Sequence, residues 1–198
     1  SQFEKASVES DLQRLSFYAY DNWRLVDPLW LTAGVSYDRL TFPLNHRVPP
    51  LSNADITEDR VSPKAGLIWT PRANTVLRGS FTRSLGGASY DQSFRLEPVQ
   101  VAGFNQAFRS LIPESVSGSL AGASFDTWGV ALDQKIGHAT YLGIEAALLE
   151  SEAERAIGDI TSTGFPPTLL ASSTTQDLDF RERDLTLTLQ GGPESAGR

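Results

Sequence analysis

Cysteine is absent from the 198 residues, so the chain can carry neither a disulfide framework nor a thiolate metal site. That lack agrees with an oxidising, cell-exterior compartment without naming one. Methionine is absent too, even at position 1, so the chain is expected to begin away from its translation start. Basic charge is scarce: 17 Lys+Arg stand against 24 Asp+Glu, a net charge of -7. A nucleic-acid binder needs a basic face, and no nucleic-acid partner is expected. Residues 1–11 are polar and have no apolar core, which excludes a signal peptide there. No run of roughly 18 apolar residues occurs, which excludes a transmembrane helix. A transmembrane barrel stays open, because alternating strands average to a hydropathy that looks soluble.

Catalytic chemistry is also thinly represented. The two histidines, His46 and His138, lie in a loop and a tight turn, without the spacing of a zinc or facial-triad site. No Gly-x-Ser-x-Gly elbow occurs. The glycine-rich SLGGAS at residues 84–89 lacks the Lys-Ser/Thr pair of a phosphate loop. Carboxylates gather at Asp55, Glu58 and Asp59 and at Glu150, Glu152 and Glu154. They read as solvated rim residues ahead of a calcium site. The chain is therefore not expected to be an enzyme, and no catalytic residue, metal site or cofactor is assigned.

What the sequence does contain is a repeated period of two. Leu29, Leu31, Ala33, Val35 and Tyr37 share one face of a strand, against Thr32, Gly34, Ser36 and Asp38. Val61, Ala65, Leu67 and Trp69 oppose Ser62, Lys64, Gly66 and Thr70. Trp128, Val130, Leu132 and Ile136 oppose Thr127, Gly129, Asp133 and Lys135. Leu77, Gly79, Phe81 and Leu85 alternate with Arg78, Ser80, Thr82 and Ser84, with Arg83 an exception on the apolar side. Weaker strands are expected over residues 15–25, where Asp21 interrupts the apolar face, and around Leu185, Leu187 and Leu189.

The connections alternate in length. Short turns fall at residues 26–28, 71–74 and 137–138, and long polar connections at 43–59, 86–124 and 158–176. Short turns on one rim, long loops on the other and strands of about ten or more residues describe an up-and-down membrane barrel. Trp23, Trp30, Tyr37, Trp69, Phe125 and Trp128, near strand ends, are candidates for interfacial girdles. Two stretches pull toward helix. Residues 144–157, IEAALLESEAERAI, are rich in helix formers. A strand there, with Leu142, Ile144, Ala146 and Leu148 outward, keeps the alternation of turn and loop. In the longest loop, Val101, Phe104, Phe108 and Leu111 follow helical spacing, so a short helix is expected there.

These pieces carry a resemblance. DRVSPKAGLIWTPRANTVLRGSFTRSL, residues 59–85, resembles a hairpin of the TonB-dependent outer-membrane receptors. FYAYDNWRLVDPLWLTAGVSYDR, residues 17–39, is similar to the hairpin before it. FDTWGVALDQKI, residues 125–136, looks like the strand that follows. The likeness covers most of residues 12–136 and rests on the order of three degenerate pieces.

It implies a barrel of about 22 strands around an N-terminal plug. It also implies a Gram-negative outer-membrane location, with outer-membrane lipid, the plug domain, TonB and a small-molecule ligand of unknown identity as partners. The chain departs from that pattern with about seven strands, no segment resembling a plug or TonB box, and no terminal aromatic. The expectation is thus an all-β fold: residues 1–198 form an antiparallel up-and-down transmembrane β-barrel segment, a partial barrel with residues 86–124 as a long outer loop.

The expected function is the wall of an uptake receptor for a scarce nutrient such as an iron chelate. Phe94, Arg95, Phe104, Phe108 and Arg109, dense for an exposed loop, are its candidate ligand contacts. The same residues suit a loop folded back on the wall equally well. Two alternatives stay open: a structural or surface-anchoring barrel without transport, and a soluble ligand-binding antiparallel β-domain. The last requires the faces carrying Leu31, Val35, Leu67 and Val130 to converge on a closed interior.

Overall fold

The computed structural model describes residues 11–44, 54–86, 96–106, 122–137, 139–163 and 168–191. Seven long strands follow one another in a single antiparallel meander: β1 (Gln13–Val26), β2 (Leu29–Pro43), β3 (Asp55–Arg72), β4 (Thr75–Leu85), β7 (Ser124–Ile136), β8 (Thr140–Thr163) and β9 (Thr168–Gly191). Two short strands, β5 (Gln100–Val101) and β6 (Phe104–Asn105), make a separate hairpin within the longest connection. Among the described residues the meander is not closed, and β1 and β9 are its edges.

Burial runs opposite to that of a soluble protein. On β3, Ser62 (0%) and Lys64 (3%) are buried while their apolar neighbours Val61 (62%) and Leu67 (40%) are exposed. Ser36, Asp38, Thr82 and Ser84 are buried in the same way, and Val35, Trp69, Trp128 and Val130 look outward. The sheet curls with its polar face inside. Arg14 on β1 reaches Asp38 on β2 (2.8 Å) and also donates to the carbonyl of Leu85 at the far end of β4 (3.0 Å). The apolar faces therefore do not converge on a closed interior, which the soluble reading required.

The register explains one detail of β3 and one of β4. The pairing of β3 with β4 begins at Lys64↔Thr82, one residue after Pro63, which has no N–H to give that ladder. Arg83, the exception on the apolar side, lies opposite Asp126 and donates to both its carboxylate oxygens (2.7 and 2.5 Å). The outward charge is thus answered by its cross-strand partner near the loop end.

Residues 144–157 are strand throughout, the reading that kept the alternation of turn and loop, because β8 pairs with β7 on one side and β9 on the other, and pairing overrides helix propensity. Other sequence expectations need correction. The expected loop over 158–176 is largely strand, and strand also takes the last five residues of the one expected over 43–59, of which 45–53 lie outside the described residues. β3 already begins at Asp55, while β8 and β9 each run to 24 residues and stay paired from Thr140↔Gly191 to Thr163↔Thr168. Their Thr- and Ser-rich ends extend the ladder as readily as a loop would.

The short helix expected around Val101 and Phe104 is a β-hairpin. Ala102 (φ 50°) and Gly103 (φ 88°) both lie in the left-handed region, which a type I′ turn requires and a right-handed helix forbids. Phe108 and Leu111 lie outside the described residues. Of the proposed girdle, Trp30 shares the inner face with Arg24, which stacks on its ring at 5.7 Å, and Phe125 is buried inside. Trp128 does face outward, packed on Phe81 with ring centroids 5.3 Å apart.

Candidate functional site

The inner face is built row by row across the strands. One row reads Thr32 (β2), Gly66 (β3), Ser80 (β4), Gly129 (β7) and Ala147 (β8), each paired with the next. Every side chain in it is small. The row on the loop side carries Gly34, Lys64 and Thr82, and the row on the turn side carries Ile68, Arg78, Ala131 and Glu145. The small row is a trough, with a lysine on one bank and an arginine on the other.

The hairpin β5–β6 lies in that trough. A Cβ on Gly66 would come within 2.7 Å of Val101 Cγ1 and 3.0 Å of Ala102 Cβ. A Cβ on Gly129 would collide with the ring of Phe104. Val101 (1%) and Phe104 (4%) are consequently buried, although they belong to the long connection between the ends of β4 and β7. The loop's stems also meet: Gly86 donates to the carbonyl of Ala123 (2.6 Å), and Gly122 to that of Gly86 (3.2 Å). Ala123 and Phe125 close this end against Ala153.

Four side chains fasten the hairpin to the loop-side bank. Lys64 forms an ion pair with Glu97, both almost wholly buried, and donates to Gln106 Oε1 (2.6 Å). Tyr20 donates to Glu97 Oε1 (2.5 Å) and accepts from Gln106 Nε2 (2.9 Å), which also donates to the carbonyl of Pro98 (2.7 Å). The ring Lys64–Glu97–Tyr20–Gln106 supplies every member with a charge-assisted or neutral partner, as burial demands. On the opposite bank Arg78 spans Asp133 (2.9 Å) and Glu145 (3.4 Å), stacks over Phe104 at 5.2 Å and points at the carbonyl of Ala102 (3.5 Å).

Toward the loop end a cleft of about 430 Å³ opens between β2–β3 and the long arms of β8–β9. Phe42, Ile56 and Leu178 supply apolar surface; Glu58, Glu152, Glu154, Asp177 and Asp179 supply carboxylates, with Arg60 among them. Two acidic clusters separated in sequence thus contribute to one cleft. Among the described residues no group of three such side chains is arranged to hold a metal ion.

Of the five candidate ligand contacts, Phe104 is the one described, and it is held between Gly129 and Arg78 on the wall. Phe94, Arg95, Phe108 and Arg109 lie outside the described residues, as do both histidines. Tyr20, Glu97 and Gln106 were not singled out from sequence. The usable signal was the set of glycines on polar faces, Gly34, Gly66 and Gly129, which register alone brings into neighbouring rows.

A curled antiparallel meander that is polar inside, apolar outside and turned by short connections on one rim is a β-barrel wall of the membrane type. The sequence profile of the TonB-dependent receptor-like β-barrel family matches residues 5–130, more than half of the chain, and the chain belongs to that family. The family is one of receptors rather than enzymes, and its barrels work with a plug domain and TonB. No curated protein and no solved structure matches the chain.

Proposed function

We propose that this chain forms part of the wall and outer mouth of a Gram-negative outer-membrane receptor that takes up a scarce nutrient, such as an iron chelate. Family membership supports the receptor class. The observation that carries the membrane setting is the inverted burial, with apolar Val61, Leu67 and Val130 outward and polar Ser62, Lys64 and Thr82 inward. A wall of this kind stays in the membrane because its backbone groups are paired strand to strand and its outward side chains match lipid.

In this reading a small ligand is gathered at the loop end, where the cleft near Glu58, Arg60 and Asp177 has the size of small-molecule sites. Phe94, Arg95, Phe108 and Arg109, which flank the docked hairpin in sequence, contact the ligand in this reading, and Phe104 is held against the wall. Passage past a plug is then driven through TonB, by parts of the receptor other than this wall. The test is growth of a strain lacking the full-length gene in medium depleted of iron and of other scarce nutrients in turn, beside a strain lacking TonB. A defect shared by both strains and relieved by one nutrient supports the proposal. Loss of surface attachment with normal growth in every medium overturns transport in favour of an anchoring role.

A further inference from the structure

The trough and the hairpin fit one another from both sides. Small residues fill the row Thr32–Gly66–Ser80–Gly129–Ala147 where β5–β6 lies, with Lys64 in the row on one side and Ile68, Arg78 and Glu145 in the row on the other. Only glycine at 66 and 129 leaves room for Val101, Ala102 and Phe104. Two independent sets of bonds hold the hairpin, the buried ring of Lys64, Glu97, Tyr20 and Gln106 on one bank and Arg78 on the other. The trough crosses β4 at Ser80, the middle of that strand, and β8 at Ala147, the eighth of its 24 residues from the turn end, so the hairpin lies well below the loop-end rim of the wall.

We propose that residues 96–106 are a fixed constriction inside the barrel, which narrows the aqueous passage along this sector of wall independently of any plug. A loop poised to open would be held by exposed, exchangeable contacts. This one is held by an ion pair sealed from water, and its turn is set by Ala102 and Gly103 in a conformation few other residue pairs adopt. Loops that narrow or close a lumen are one of the forms that membrane barrels take. The exposed side chains of Leu96 and Val99 then face the passage, so cargo moving past this sector meets the hairpin in place of the wall.

The inference rests on the barrel reading, and the experiment separates the two. The full-length protein is purified in detergent as wild type, as Gly129→Phe, which fills the place of the Phe104 ring, and with residues 98–105 replaced by a short Gly-Ser linker. A paired Gly66→Cys and Val101→Cys variant uses a stretch of 198 residues without cysteine. A Cβ at position 66 lies 2.7 Å from Val101 Cγ1, the place that the sulfur at position 101 takes, so the crosslink replaces the contact that would otherwise clash. A small shift relieves the 3.0 Å approach to Ala102 Cβ.

Folding is read from heat-modifiable mobility and β-rich circular dichroism, passage from conductance in planar bilayers bathed in enough urea to unfold the plug while the barrel stays folded. The expected result is near-complete crosslinking without loss of wild-type conductance, and a several-fold rise in conductance for Gly129→Phe and the linker variant. Folded variants with wild-type conductance overturn the constriction while leaving the barrel intact, and absence of the crosslink overturns the docking. Failure of the wild type itself to form a heat-modifiable, β-rich species in detergent overturns the barrel reading beneath it.

Discussion

Lys64 shows how far a single residue can depend on partners remote in sequence. A lysine on the polar face of a strand is ordinarily solvated, yet here its ammonium is sealed against Glu97, 33 residues away, and Gln106, 42 away. Tyr20 and Gln106 are 86 residues apart. Removing one member of a buried pair strands the other, at a cost of about 3–5 kcal/mol if the surroundings stay closed. That exceeds what a short hairpin holds in reserve, so Lys64→Met is expected to undock residues 96–106. Replacing both charges, Lys64→Met with Glu97→Leu, is expected to restore most of the docking, because neither ion is then left unpaired. Limited proteolysis of the folded protein in detergent measures this as cleavage within residues 96–106. Equal cleavage of the single and double variants would mean that the pair does not hold the hairpin.

At the scale of the element, alternation made most of the fold legible. Strands around Leu31, Leu67, Phe81 and Val130 lie where the period of two places them, and the short turns sit at the expected positions. The strand at 144–157 was ambiguous, because Glu, Ala and Leu favour a helix locally and only pairing with β7 and β9 decides otherwise. The ends of β8 and β9 were illegible for a related reason: a polar Thr- and Ser-rich stretch serves a ladder or a loop, and composition does not choose. The candidate site was readable in part. Phe104 was singled out from aromatic density, but its role as a wall contact depends on Gly129 lying opposite, which only the register between β4 and β7 establishes.

The same alternation makes a prediction for the strands. An arginine in place of outward Val130 is expected to destabilise the folded barrel by about 2–4 kcal/mol, as a charge facing the middle of a bilayer does. Inward Tyr141, which stacks with Lys135 at 5.6 Å, is expected to accept glutamate with a change within about 0.5 kcal/mol. Denaturant midpoints in lipid vesicles compare the two. A tolerated Val130→Arg would place that face in water.

The whole molecule presents a harder problem to water than any of its strands. Its outward face carries Phe17, Trp23, Val61, Val130, Leu185, Leu187 and Leu189, all substantially exposed. Contiguous apolar surface of this kind drives association in soluble proteins. The edges add to it, since β1 and β9 each leave one side of the ladder without a strand among the described residues, and open edges recruit other chains. The inner face cannot compensate: its ion pairs and trough organise the polar side and bury little hydrocarbon. The isolated chain is therefore expected to aggregate in plain buffer and to be recovered in detergent micelles with a β-rich circular dichroism spectrum. Partitioning between buffer and micelles, with a spectrum of each fraction, measures this directly. A monodisperse, cooperatively folding species in buffer would mean that the outward apolar face is covered by protein, and the membrane setting proposed for this wall would have to be withdrawn.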